Sequence, residues 1–397
     1  MNEFAEFASR LSRPLDVKIH ELQCNDRLRH LIFAAQLTPS LLEKLRRMAD
    51  VIRQLSRDRQ GNLRLKQILA HRRAMLYFSQ PSTRTFLSFM AACQILGITC
   101  NEVRDPKSSS ESKRESKMDS IRMFSSYFDV IIMRTPEINF SECCACLMNQ
   151  LEALGKRSVP IINAGSGSDE HPTQALLDMY TILRTFTVDV SPESKQSRFL
   201  QLQSQSPELN PGVENKTYLF CGDMGRGRTV RSLATVLAQF EDIRLFFVSP
   251  EHKTLMLDEP TKKRLQDRGV ELHEFHSLDA LHDGKPILSL ADCVYMTRIQ
   301  REHNSAQDEQ DFAGIDLTKF QLTPERAAKL KSYVPILHPF PRDSVIQEIP
   351  TEIDADPRAM YFRQARNGMW ARAALLLHLF NAEDELLALQ GESTSAG

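Results

Sequence analysis

The sequence predicts an α/β fold in which parallel strands are covered by helices on both faces. The main observation is an alternation, along most of the chain, of short apolar runs of strand length with segments of helix length. That pattern marks a parallel sheet built from strand–helix–strand units. The second observation is length: 397 residues suggest two or three domains. The third is composition, with 42% hydrophobic and 25% charged residues, which suffices to bury ordinary soluble cores.

Residues 1–30 are polar and mixed, show no repeat and suggest no task. Met1–Glu21 mixes acids and bases without an apolar stretch, so no secretory signal is expected. Leu31-Ile32-Phe33 is a short apolar run, and Thr38-Pro39 then opens a helix with Thr as N-cap and Pro at the first helical position. Leu41, Leu42, Leu45, Met48, Ile52 and Leu55 recur at helical spacing and form its core face. Ala74–Phe78 is a buried strand, broken by Gln80-Pro81. An apolar helix follows through Leu87, Phe89, Met90, Ala92 and Leu96 and stops at Gly97. Residues 105–119 carry almost no apolar side chains and predict a mobile surface loop.

Asp129 to Met133 is a second buried strand, ending in Arg134. A helix and the strand Val159–Asn163 come next, then the turn Ala164-Gly165-Ser166-Gly167-Ser168, and His171-Pro172-Thr173-Gln174 opens a helix running to about Thr185. Residues 187–216 are rich in Ser, Gln, Pro and Glu and predict an extended surface loop. The alternation resumes with strand Tyr218–Cys221, helix Arg228–Phe240, strand Arg244–Val248, helix Thr261–Arg268, and strands Val270–Phe275 and Cys293–Met296. Leu337-His338-Pro339-Phe340-Pro341-Arg342 follows a strand and cannot be helical. Arg372 to Leu389 is a last helix, and Gly391 to Gly397 a frayed tail.

A formal net charge of -1 gives no reason to expect a nucleic-acid or membrane-surface partner. No apolar run approaches the ~18 residues needed to span a bilayer. The eight cysteines include Cys143-Cys144 and Cys146, but no second pair stands at zinc-finger spacing. Buried or free thiols are therefore expected in preference to metal ligands, in a reducing cytoplasm.

Ser82-Thr83-Arg84-Thr85 is the stretch with the clearest chemistry. A strand, a tight turn and a helix that begins with hydroxyl residues make an anion site, because the first-turn N–H groups and the positive end of the helix dipole point at the turn. Taken alone, the stretch would be an ordinary N-cap. It does not stand alone. Arg134, His171, Gln174, Arg228, Arg298 and Gln300 also follow separate strands, and all are cations or neutral donors. No paired carboxylates, H-E-x-x-H or G-x-S-x-G are present. Such a set suits highly anionic ligands and a reaction that needs positioning and charge stabilisation rather than a covalent nucleophile. Gly222-Asp223-Met224-Gly225-Arg226-Gly227 invites a dinucleotide reading, but Met224 stands where G-x-G-x-x-G needs its second glycine. These glycines are expected to give backbone clearance before a helix.

With these motifs in hand, the chain resembles the aspartate carbamoyltransferases of the catalytic-chain type, in the aspartate/ornithine carbamoyltransferase family. Ser82–Thr85 is similar to the family's carbamoyl-phosphate loop. Ser109 and Lys113 fall where its mobile loop carries a serine and a lysine, and Asn163 through His171-Pro172-Thr173-Gln174 to Asp178 resembles its second signature. Gly222-Asp223, Gly227-Arg228-Thr229, Met296–Gln300 and Leu337–Arg342 resemble its aspartate side. The ornithine branch carries a cysteine in the last of these segments, and this chain has none there.

The resemblance implies two lobes, each a parallel sheet flanked by helices. Residues 1–171 would bind carbamoyl phosphate, with the C-terminal helix 367–397 packing back on them. Residues 172–366, with the insertion 187–216, would bind aspartate. The implied reaction moves the carbamoyl group of carbamoyl phosphate to the amine of L-aspartate, in pyrimidine biosynthesis, without metal or organic cofactor. Ser82, Thr83, Arg84, Thr85, Arg134, Ser109 and Lys113 would hold the phosphate. Thr85, Arg134 and His171 would polarise the carbamoyl carbonyl, and Gln174 with the backbone of Pro339 and Phe340 would hold its NH2. Arg134, Arg228, Arg298, Gln300 and Lys113 would bind aspartate. A homotrimer with shared sites is implied, and a regulatory or dihydroorotase partner stays open. So do a different amine acceptor and a catalytically silent homologue. The chain differs from the family pattern at Gln80, Phe86, Met90 and Arg114.

Overall fold

The computed structural model describes residues 5–24, 27–104, 115–167, 170–188, 198–300 and 314–395. It divides into two units, Met1–Leu177 with Arg366–Gly397, and Asp178–Ala365.

The first unit opens with helices α1 (Ala8–Leu11) and α2 (Leu15–Glu21) and a small antiparallel pair, β1 (Gln23–Cys24) and β2 (Arg27–Leu28). Helices α3 (Pro39–Leu55) and α4 (Arg59–Ile68) lead into strand β3 (Arg73–Phe78). Helix α5 (Thr83–Leu96), strand β4 (Thr99–Val103), helix α6 (Lys117–Tyr127), strand β5 (Val130–Arg134), helix α7 (Phe140–Ala153) and strand β6 (Ile161–Asn163) follow. The sheet is wholly parallel, in the order β4-β3-β5-β6. In β3 and β5 nearly every residue is buried, which is why they read as unbroken apolar runs.

Local chemistry explains the helix limits. Thr38 caps α3, its Oγ1 accepting from the Leu41 N–H at 3.3 Å, and Leu42, Leu45, Met48, Ile52 and Leu55 are buried as predicted. Leu41 is only half-buried, and Ala49 is the further buried position. Gly97 ends α5 at φ 78°, and a Cβ there would meet the Lys66 carbonyl oxygen at 1.9 Å. Helix α6 begins at Lys117, with Ser116 Oγ accepting from Met118 N–H. The last residues of the predicted 105–119 loop are therefore helical, and 105–114 lie outside the described residues.

Residues 1–30 do have a structural part. Phe7 and Leu22 are buried in the same apolar cluster as Tyr77, Met133 and Phe140. Lys18 Nζ pairs with the buried Glu142 at 2.9 Å. Cys143, Cys144 and Cys146 are buried free thiols in that cluster, and burial pushes the Cys143 thiol up to about 12.

The predicted single helix from Arg372 to Leu389 is two helices, Tyr361–Leu379 and Glu383–Ser395. The break is at Asn381, whose left-handed φ of 56° ends the first helix while Ala382 N–H bonds the Leu377 carbonyl. The tail predicted from Gly391 is helical as far as Ser395. The C-terminal segment packs back on the first unit: Arg372 Nη1 donates to Ser88 Oγ at 2.6 Å and its guanidinium lies over the Phe89 ring. Glu383 receives Arg27 at 2.6 Å, Lys44 at 2.7 Å and His378 Nδ1 at 2.8 Å. Burial alone would raise the Glu383 carboxyl, but the Lys44 and Arg27 hydrogen bonds outweigh it and hold the group down to about 2. A lowered carboxyl contributes stability that is present above its ordinary value of 4.5 and lost as pH falls toward 2. Glu383→Gln is expected to cost about 1.5–3 kcal/mol at neutral pH, and the deficit should shrink between those two pH values. Urea titrations of both chains across that range check it, and a deficit independent of pH would refute it.

The second unit holds strands β7 (Lys216–Cys221), β8 (Ile243–Val248), β9 (Glu271–Phe275), β10 (Leu281–His282), β11 (Lys285–Pro286), β12 (Cys293–Met296) and β13 (Ile336–Leu337). The main sheet is parallel, in the order β13-β12-β7-β8-β9, and β10 and β11 form a separate hairpin. Helix α8 (Pro172–Phe186) contains the division between the units, and α9 (Arg198–Gln205), α10 (Arg228–Leu237), α11 (Glu259–Gln266) and α12 (Ile287–Leu290) follow. The stretch 187–216 departs from its predicted loop. It contains α9, it buries Phe199, Leu209 and Val213, and its end starts β7 at Lys216. Three apolar side chains spaced across a polar stretch are enough to fix it to the core. Among the described residues no helix is long and apolar enough to cross a membrane.

Candidate active site

In parallel sheets the carboxyl ends of the strands are where side chains from several loops converge. In the first unit, Phe78 of β3 lies beside Arg134 of β5, and Met133 beside Asn163 of β6. The loops leaving these three strands carry most of the predicted anion-binding residues. Ser82 occupies the N-cap of α5, but its side chain makes no capping hydrogen bond. The first intrahelical bond runs from Phe86 N–H to Ser82 O at 3.1 Å, so the first-turn N–H groups of Thr83, Arg84 and Thr85 precede the helical ladder. Thr83 and Arg84 are exposed, Ser82 is half-buried and Thr85 is buried.

Arg134 and His171 are brought together. Arg134 Nη1 lies 3.4 Å from His171 Nε2 and donates to the Ala164 carbonyl at 3.2 Å. Gly165 makes this approach possible: its φ is 103°, and a Cβ would stand 2.7 Å from Arg134 Nη1 and 3.1 Å from the His171 ring. Asn163 shapes the turn, its Oδ1 accepting from Gly165 N–H at 2.8 Å and its Nδ2 donating to Ile32 O at 3.1 Å. Gln174 is in the first turn of α8, at the edge of burial. Phe86, one of the positions that differ from the family pattern, packs edge-on against Phe78 with Arg104 over its ring at 4.6 Å. Ser109 and Lys113 lie outside the described residues.

The second unit repeats the arrangement at the ends of β7, β12 and β13. Thr297 N–H donates to Cys221 O at 2.7 Å, and the Gly222 φ of 126° leaves room for it, since a Cβ would meet Thr297 O at 2.1 Å. Gly225 and Gly227 are equally confined, by Thr254 O and Asp223 O. These glycines serve backbone clearance, as predicted. Asp223 is fully buried and receives the N–H groups of Arg226 at 2.9 Å and Gln300 at 3.3 Å. Burial raises its carboxyl, and the Arg226 bond opposes the rise. Arg228 opens α10, and Arg298 and Gln300 are half-buried in the loop after β12.

Pro339 and Phe340 rest on a buried polar chain that the sequence reading missed. Phe340 N–H donates to His338 Nδ1 at 2.8 Å, so the ring proton sits on Nε2, which donates to Glu348 at 2.8 Å. Gln364 Oε1 accepts the His338 N–H at 2.8 Å while its Nε2 donates to Asp178 at 2.6 Å, and Tyr295 Oη donates to the other Asp178 oxygen at 2.8 Å. The left-handed φ of 57° at Phe340 costs about 1–2 kcal/mol, offset by this bond and by packing on Tyr361 and Phe362. Only Asp178 and His338 stood in recognisable motifs. Gln364 and Glu348 carry no local signal.

Each unit thus presents cations and neutral donors at its strand ends, which can bind anions and stabilise growing negative charge. Comparison with known proteins agrees with this chemistry. The family description "Aspartate/ornithine carbamoyltransferase, carbamoyl-P binding domain" matches residues 29–184, and "Aspartate/ornithine carbamoyltransferase, Asp/Orn binding domain" matches residues 214–379. The chloroplastic aspartate carbamoyltransferase of Arabidopsis thaliana is 36% identical over 84% of this chain and 74% of its own length. The aspartate carbamoyltransferase catalytic subunit of Vibrio cholerae is 33% identical over 89% of this chain and 97% of its own. The crystal structure of the Trypanosoma cruzi aspartate transcarbamoylase in complex with carbamoyl phosphate and aspartate superposes with a TM-score of 0.69 at 30% identity, covering 88% of this chain and 96% of that one. Two family domains in order, with the V. cholerae catalytic subunit matched over 97% of its length, leave one conclusion: the chain belongs to the aspartate/ornithine carbamoyltransferase family.

Proposed function

We propose that this protein is an aspartate carbamoyltransferase, which transfers the carbamoyl group of carbamoyl phosphate to the amine of L-aspartate and releases phosphate. The observation that carries the reading is the pairing of Arg134 with His171 at the end of β5, the sheet neighbour of the strand that leads to the Ser82–Thr85 helix start, in a chain similar to a T. cruzi enzyme solved in complex with carbamoyl phosphate and aspartate. Ser82 to Thr85 and Arg134 hold the phosphate. Thr85, Arg134 and His171 donate to the carbamoyl oxygen, where negative charge grows as the amine adds. Gln174 and the backbone at Pro339 and Phe340 orient the carbamoyl NH2. Arg228, Arg298 and Gln300, with Arg134, take the aspartate carboxylates, and Ser109 and Lys113 enclose the phosphate. The amine attacks the carbonyl carbon, the C–O bond to phosphate breaks, and the departing phosphate takes the amine proton.

Aspartate is preferred to ornithine as acceptor because the segment His338–Arg342 carries no cysteine and the loop after β12 carries a cation. The chain works in the cytoplasm, consistent with eight free cysteines, in pyrimidine biosynthesis, and as a homotrimer. Assaying purified protein with carbamoyl phosphate and a panel of amines tests the core of this. Turnover with aspartate is expected. Turnover only with another amine, or none, would overturn it.

Acceptor binding gives a sharper expectation. A guanidinium meets a carboxylate with two parallel hydrogen bonds, a fork that an ammonium cannot copy. Arg298→Lys should raise the KM for aspartate about tenfold or more while leaving that for carbamoyl phosphate nearly unchanged. Equal rises for both substrates would remove Arg298 from the aspartate side.

A further inference from the structure

We infer that the second unit carries a divalent-metal site of the zinc class at Glu271, His273 and His282, on the edge of its sheet and separate from the proposed catalytic residues. Glu271 and His273 stand two residues apart on β9 and so share a face. His282 comes from β10 of the neighbouring hairpin. Potential ligand atoms of all three lie within 4.8 Å of one another. Glu271 Oε1 and His273 Nε2 are already 2.8 Å apart, and the two imidazole centroids are 4.3 Å apart. Tetrahedral zinc with bonds of about 2.0–2.1 Å needs ligand atoms roughly 3.3 Å apart. To reach that spacing Glu271 Oε1 and His273 Nε2 would part slightly and His282 would approach them.

The surroundings resemble those of a bound metal more than those of a chance surface cluster. The register sets Phe246 beside His273 and Arg244 beside Glu271. The buried Phe246 packs edge-on against both imidazoles, at 5.7 Å and 5.2 Å, and makes an apolar floor that limits how they turn. Arg244 Nε makes an ion pair with the far oxygen of Glu271 at 2.8 Å, while Oε1 faces His273. Asp283 follows in the hairpin turn, its Oδ2 3.6 Å from His282 Nε2, but it lies outside the group of three mutually close ligands, so water would complete the coordination. Two imidazoles and a carboxylate select zinc and its first-row neighbours over calcium or magnesium, which take oxygen donors. The ion would clasp an edge strand to the hairpin that follows it, and its role is structural.

The test uses the untagged full-length chain, stripped with EDTA and titrated with zinc chloride by calorimetry, then with Co2+ by absorption. One zinc per chain is expected, and the cobalt form should lack the near-ultraviolet band of thiolate ligation. His273→Phe keeps an aromatic ring on Phe246, and His282→Gln removes the other imidazole. Each should weaken zinc binding at least about tenfold, abolish the rise in Tm that zinc gives the parent chain, and leave carbamoyl transfer unchanged. No stoichiometric binding at micromolar zinc, a thiolate band, or undiminished affinity in both variants would each overturn the proposal.

Discussion

Arg84→Ala should lower kcat for carbamoyl transfer by about 10²–10³, or roughly 2.7–4 kcal/mol of transition-state stabilisation. The argument starts from the backbone. Strand β3 is buried and ends at Phe78, and α5 begins at Thr83, so the helix start is carried on a rigid sheet. Its first-turn N–H groups and dipole favour an anion at that end. Arg84 is exposed in the same turn and adds a permanent cation that can grip two oxygens at once. As the carbamoyl–oxygen bond breaks, charge builds on the departing phosphate, and a donor fixed there gains strength in the transition state more than in the ground state. The loss should therefore fall on kcat as well as on kcat/KM. Because Arg84 is exposed, the variant should keep its circular dichroism and melting temperature. Near-normal turnover would remove Ser82–Thr85 from the active site, and a collapse in Tm would reassign Arg84 to stability.

How much of this was legible in the sequence varied with the kind of signal. Strands β3, β5, β7 and β8 were plain because both faces are buried and the apolar residues run without a break. The start of α3 was plain because Thr38 and Pro39 act through their own backbone chemistry. Helix α9 was missed because it is anchored by Phe199 alone at one end, while Leu209 and Val213 follow in loop. The C-terminal break was missed because Asn381, rather than glycine or proline, takes the left-handed turn. The β10–β11 hairpin did carry its Asp283-Gly284 signal, but its strands are two residues each and show no alternation. At the candidate site, residues in strand-end motifs could be picked out by their order along the chain. The contact between Arg134 and His171 depends on the Gly165 turn and is set by the fold. The chain from Asp178 through Gln364 to His338 closes over 186 residues between its first two members, and no local pattern announces it.

Mixing two inactive variants should restore activity, and this is the expectation that bears on assembly. We propose, from the family resemblance alone, that Lys113 serves the site of a neighbouring subunit, since a long side chain ending in an ammonium suits a ligand whose charge is enclosed after binding. Lys113→Ala chains keep Arg84 but cannot lend a lysine. Arg84→Ala chains lack the phosphate donor but can lend Lys113. Each should be nearly inactive alone. In a ring with cyclic symmetry every site pairs one chain's Arg84 with its neighbour's Lys113, so random reassembly of equal amounts makes about one quarter of the sites complete. Activity in the mixture should therefore rise to about that fraction of the parent level after dissociation and reassembly, while mixing without dissociation should give none. Mass spectrometry of differently labelled chains would verify that hybrids formed. Verified hybrids without recovery would mean that Lys113 serves its own subunit or none. Sedimentation of the active enzyme as a monomer would rule out sharing altogether, because no neighbour would be present to lend the lysine.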